Sequence, residues 1–203
     1  MAKLILVKAD LGEFLAAVAG KYRGSGRILL IGETSHVWED LRYGTSQLEL
    51  VAVGTAADGT RLSAVCAEVA GALNVTLLSD SPADFVPLPD GFEDRVRVAS
   101  HPPPELKDAT AVRDIELAHF DPYSVAIRFI ARGDEPDYHL VLTSLSAGWV
   151  VEEELDQMLT DLLERFTLET IQQDPAEFRR KYKGLLQIWR AARPGLIHRF
   201  TAV

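Results

Sequence analysis

Apolar residues recur at three- and four-residue spacing over residues 10–23 (DLGEFLAAVAGKYR), which predicts a first helix opened by Asp10. The glycines of GSG at 24–26 end it, and RILLIG at 27–32 reads as a short buried strand. A helical piece over 34–42, opened by Thr34 or Ser35, then leads into a strand, SQLELVAVG, at 46–54. DGTRLSAVCAEVAGAL at 58–73 has an amphipathic helical pattern behind an Asp58-Gly59 turn, and NVTLLS at 74–79 alternates as a further strand. From Ser79 to Pro104 proline and acids dominate, predicting a long loop decorated with a hairpin whose one clear strand is RVRVA at 95–99. RDIELAHF at 113–120 is another strand, and Asp121-Pro122 opens a helix with proline at its first position. Beyond it the pattern is helical at 122–132, 135–147, 151–165 and 174–192, punctuated by Gly133, Gly148 and Asp174-Pro175. Strands alternating with helices, then helices alone, predict an α/β (α+β) fold: a mixed sheet flanked by helices over 1–120, then a helical bundle over 121–203. No internal repeat is visible at solenoid periods.

Composition narrows this picture modestly. The 203 residues are 47% hydrophobic, enough for one core, or one core with a helical appendage. No apolar run approaches the about 18–20 residues that cross a bilayer. The short apolar patch in MAKLILVKADLGEF has no small-residue cleavage site after it. A cytoplasmic chain without membrane partners is expected. Its single cysteine, Cys66, rules out an internal disulfide and multi-cysteine zinc sites, and its apolar helical surroundings predict a buried, inert thiol.

The net charge of −9 opposes non-specific binding to nucleic acid or anionic membranes. Basic residues nevertheless gather in RRKYK at 179–183 and from Arg190 to Arg199. That end reads as a solvated helix face or, less in keeping with the net charge, as a nucleic-acid contact.

The chemistry-bearing pattern lies between residues 27 and 53. A glycine after a buried strand, followed by hydroxyls and a helix start, can present backbone N–H groups to a phosphate, and Gly32, Thr34 and Ser35 supply those parts. Residues two apart on a strand share a face, so Gln47 pairs with Glu49, and Asp114 with Glu116. Carboxylates from neighbouring strands are how a magnesium site is assembled. The five histidines show no metal-ligand spacing, and no serine-hydrolase, Rossmann or P-loop signature occurs.

The succession IGETS, QLE and HFDPYSVAIRFIARGDEPDYHLVL resembles the nucleotidyltransferase-fold superfamily, in its minimal and antitoxin-type bacterial branch, over roughly residues 10–190. The resemblance implies transfer of a nucleoside monophosphate from a magnesium-bound nucleoside triphosphate to an acceptor. Carried onto this chain, it gives Glu49 with Asp114 or Glu116 as catalytic acids and Glu49 and Glu116 as metal ligands. Gly32, Thr34 and Ser35 would cradle phosphate, and Arg128, Arg132 or Asp137 would position the nucleotide. The chain departs from the family pattern at several of these places. Glu33 replaces a second glycine, Gln47 stands at the first aspartate, Glu49 at the second, and Phe129, beside Arg128, takes the place of a helix lysine. A glutamine brings no negative charge to a divalent ion.

The sequence therefore supports two functions. One is a magnesium-dependent transferase with a degenerate Asp-x-Asp motif. The other is a non-catalytic module of the same fold that contacts a protein partner in a toxin–antitoxin or defence setting. Each residue also has a plain structural reading: Gly32 and Thr34 as a strand-to-helix turn, and Glu49, Asp114 and Glu116 as strand-surface acids. Arg132, Asp134, Glu135 and Asp137 read in the same way as a capped junction around Gly133. The stripe Phe178, Tyr182, Leu185, Leu186 and Trp189 has helical spacing and predicts packing of the last helix.

Overall fold

A computed structural model describes residues 5–108, 110, 112–166 and 174–200, with side chains to residue 192. The side chains of His198 and Arg199 in the basic tail lie outside the described residues. In chain order the regular elements are α1 (Lys8–Lys21), β1 (Gly24–Leu30), α2 (Gly32–Trp38), β2 (Leu48–Val53), α3 (Ala56–Leu73), β3 (Leu77–Leu78) and β4 (Arg97–Val98). Then follow β5 (Lys107–Asp108), β6 (Arg113–His119), α4 (Pro122–Arg132), α5 (Glu135–Ser146), α6 (Glu152–Leu162) and α7 (Pro175–Phe200). The fold is mixed α/β, with a six-stranded sheet flanked by helices.

The sheet order is β3-β2-β1-β6-β4, and β5 also pairs with β6. β1 runs antiparallel to β2 and parallel to β6, so the central strand is held on both edges. One face carries Ile28, Leu30, Leu48, Leu50, Ile115 and Leu117, packed against Leu11, Phe14, Leu15 and Val18 of α1 and Leu62, Cys66 and Val69 of α3. Burial pushes the Cys66 thiol up to about 12, leaving it an inert member of that core. None of the described helices is long and apolar enough to cross a membrane.

Two compact units emerge, one of residues 1–81 and 95–121, the other of 82–94 and 122–203. The second has its own core, built from α4, α5, α6 and α7 with Val86 from the proline-rich segment. In α4 all residues but Val125 and Arg132 are buried. Gly133 follows with φ +75°, a left-handed conformation that glycine adopts without penalty. Lys181 of α7 lies across it, its Nζ donating to the carbonyls of Ala131 (2.6 Å) and Arg132 (3.1 Å) and so capping α4. A Cβ at residue 133 would stand 2.7 Å from Lys181 Cδ. Gly133→Ala is accordingly expected to lower stability by about 1–2 kcal/mol from backbone strain, and by more if the lysine cap is lost. A urea titration unchanged from wild type would refute this.

Several local expectations are corrected. Asp58-Gly59 is not a turn but lies inside α3, whose start is set by Thr55: its Oγ1 accepts from Asp58 N–H and donates to the Asp58 carboxylate at 2.9 Å. Asn74 is the left-handed residue that ends α3 (φ 53°), which shortens the following strand to two residues. RVRVA forms no local hairpin; β4 pairs with β6 instead, with Arg97 opposite His119. The first helix begins before Asp10, whose Oδ2 accepts from Val7 N–H at 2.9 Å from within the first turn.

Candidate functional site

The site is built where β1 gives way to α2. Gly32 takes φ +55°, turning the chain directly from strand into helix. Beside this turn β2 delivers Glu49, whose carbonyl accepts from Ile31 N–H at 2.9 Å. Thr34 is buried, and its Oγ1 accepts from Glu49 N–H at 2.8 Å, stitching the first turn of α2 to β2. Ser35 and His36 are buried one and two residues on. Burial first, then Arg42 and His119, push the His36 imidazole down to about 4, so it stays neutral near pH 7.

The polar side chains here hold one another. Gln47 Nε2 donates to Glu49 Oε1 at 2.9 Å, joining the two residues that alternation places on one face. Glu33 accepts from the Thr45 hydroxyl at 2.8 Å and pairs with Arg42 at 3.0 Å. The same Thr45 hydroxyl lies 2.9 Å from the Gln47 carbonyl. Gly32, Glu33, Thr34, Gln47 and Glu49 therefore form one cluster, as the strand–glycine–helix pattern predicts.

Asp114 and Glu116 lie elsewhere. On β1 the neighbour of Glu116 is Arg27, whereas Glu49 stands beside Ile31. Four residues of strand separate these levels, roughly 13 Å. Glu116 pairs with Arg27 at 3.2 Å and Asp114 with Lys107 at 3.7 Å, on an accessible stretch of sheet. This matches their reading as solvated strand acids, and neither joins Glu49.

Arg128, Arg132 and Asp137 belong to the second unit. The Arg128 guanidinium lies 4.5 Å from the ring centre of Phe85, a buried cation–π contact. Arg132 meets Asp137 at 2.9 Å across the Gly133 turn. Asp137 is buried, and this burial raises its carboxyl above the usual range despite Arg132. Those contacts describe a helix junction rather than a set of free ligands.

Arg42 and Thr45, the partners of Glu33, were not legible in the sequence. Nor was a second cluster in which His119 Nε2 lies 2.8 Å from Glu39 Oε1, while the Glu39 carboxylate accepts from Ser100 N–H and Trp38 Nε1 donates to the Ser100 carbonyl. The second depends on residues 61 to 80 positions apart, and the first on a loop whose fold no local pattern sets.

The donor set does not fit a two-metal centre. Among the described residues no three of His, Cys, Asp and Glu stand close enough to share a metal ion. Beside the Gly32 turn Glu49 has a neutral amide for its neighbour, and the Glu33 carboxylate is already paired with Arg42. No family model, curated protein or solved structure matches the chain.

Proposed function

We propose that the protein is a nucleotidyltransferase-like scaffold whose polar cluster at the end of β1 has lost two-metal nucleotidyl transfer and serves binding instead. The observation that carries this reading is the hydrogen bond from Gln47 Nε2 to Glu49 Oε1. A divalent ion needs hard anionic oxygens, and here the residue beside Glu49 is an amide that donates to its carboxylate and brings no negative charge. The groups that would meet a triphosphate are engaged in the same way: Thr34 with β2, Glu33 with Arg42 and Thr45.

Gln47→Asp tests the reading. Two adjacent carboxylates repel, so the variant melts below wild type in EDTA and recovers with millimolar magnesium, while wild type is insensitive to the metal. A nucleoside triphosphate at about 100 times its dissociation constant adds about 2.7 kcal/mol of stability. In wild type any such gain is the same with or without magnesium. Magnesium-dependent transfer of a labelled nucleoside monophosphate by wild type, abolished by Glu49→Gln, would overturn the proposal.

A second reading, the protein-interaction module, is favoured by the loop that holds Glu33. Tyr43 is 83% exposed between Arg42 and Gly44, near exposed Leu41 and Ile5. Tyrosine and arginine are the residues that anchor protein interfaces. Absence of any triphosphate effect on melting would leave this reading standing alone.

A further inference from the structure

The described part of α7, residues 175–192, places Arg179, Arg180, Lys181 and Lys183 within two turns, in a chain whose net charge is −9. All four line one open groove of about 790 Å³, together with Gly133, Tyr138 and Gln187, and no acidic side chain lines it among the described residues. Their roles differ. Lys181 is spent on the α4 carbonyls and lies 3.4 Å from Glu177. Arg180 reaches the same glutamate at 3.9 Å, an exposed contact that neutralises little. Arg179 and Lys183 are exposed and have no ion-pair partner among the described residues.

Like charges one turn apart on a helix repel by a few tenths of a kcal/mol. Lys181 apart, these residues are exposed, and Phe178, Tyr182, Leu185 and Leu186 of α7 supply its core contacts. Stability therefore does not account for it, whereas an anion would relieve the repulsion. Two arginine forks match phosphate oxygens bidentately, which a set of lysines would not do. The groove is within the size range of small-molecule sites and holds more than one phosphate. From these observations we propose that Arg179, Arg180 and Lys183 form a site for an oligophosphate anion, two or more neighbouring phosphate groups of one ligand. The proposal is independent of the cluster beside Gly32.

The chemistry is shared by free oligophosphates and by a nucleic-acid strand, and two probes on the full chain separate them. Tripolyphosphate is titrated calorimetrically at low ionic strength, and a fluorescein-labelled single-stranded oligonucleotide by anisotropy over a salt series. Wild type binds tripolyphosphate, and Arg179→Glu/Lys183→Glu weakens this at least tenfold without changing the melting temperature, since both side chains are exposed. The neutral pair Arg179→Gln/Lys183→Gln gives a smaller loss and serves should the charge reversal fold poorly. If the oligonucleotide binds more tightly than tripolyphosphate, with a log–log salt slope of about −2 for three phosphate contacts, the ligand is a strand. If it binds more weakly, the ligand is a free oligophosphate. Failure of wild type to bind either probe, or binding that survives both double variants, overturns the site.

Discussion

Arg95→Ala is expected to lower the unfolding free energy by about 3 kcal/mol, the low end of the cost of breaking a buried ion pair. Arg95 Nε and Nη2 donate to the two carboxylate oxygens of Asp121 at 3.1 Å each, a fork on a carboxylate that is fully buried. The pair ties the residue two before β4 to the residue two after β6, both in the first unit. Without the guanidinium the carboxylate stays in a low-dielectric site with less compensation. Asp121 has further polar contacts, which is why the expected cost is not larger. Arg95→Lys keeps a charge but loses the fork and falls between alanine and wild type. Arg95→Ala/Asp121→Asn removes both charges and recovers part of the loss. Urea titrations read all three, and an Arg95→Ala midpoint within about 0.5 kcal/mol of wild type would show that the pair contributes nothing.

That clamp marks the limit of what the sequence displayed. Long periodic segments were legible: α4 and α7 begin within a residue of the predicted starts because Asp121-Pro122 and Asp174-Pro175 punctuate the chain locally. β1, β2 and β6 were legible because they are central strands with apolar runs. Of the edge elements, β3 and β4 fall inside the strands expected at 74–79 and 95–99 but are shorter, and β5 was not read. β4 and β5 are two residues each and exist because β6 offers them an edge, β4 across about twenty residues of chain and β5 through the short connection between Asp108 and Arg113. α2 was placed too late, since Gly32 reads as the end of a strand until its left-handed φ is known.

The candidate site divides along the same line. Residues joined by strand alternation or one turn, Gln47 with Glu49 and Thr34 with the start of β2, come together as their spacing requires. Asp114 and Glu116 share a face too, but alternation says nothing of level along the sheet, and the β1–β6 register places them beside Ser25 and Arg27. Glu33 reads from sequence only as the replacement of a glycine. Only the fold reveals Arg42 and Thr45 as its partners.

Deleting residues 175–203 is expected to have the largest effect of any change to the second unit. The deletion takes Phe178, Tyr182, Leu185, Leu186 and Trp189 out of a core that holds α4, α5 and α6 together. Phe178 alone is buried edge-on against Phe166, with ring centres 4.9 Å apart. At 1.5–3 kcal/mol per buried large side chain the loss is roughly 10 kcal/mol, comparable with the entire stability of an ordinary domain. The core of the first unit contains none of these residues, so its cooperative melt should persist. The truncated chain should therefore lose more helical signal than the 26 residues of α7 carry, and bind a hydrophobic dye at neutral pH. Helicity reduced only by the share of α7, with no dye binding, would mean that α4–α6 pack without it. In that case the buried stripe read from the sequence is an appendage and not a wall of the core.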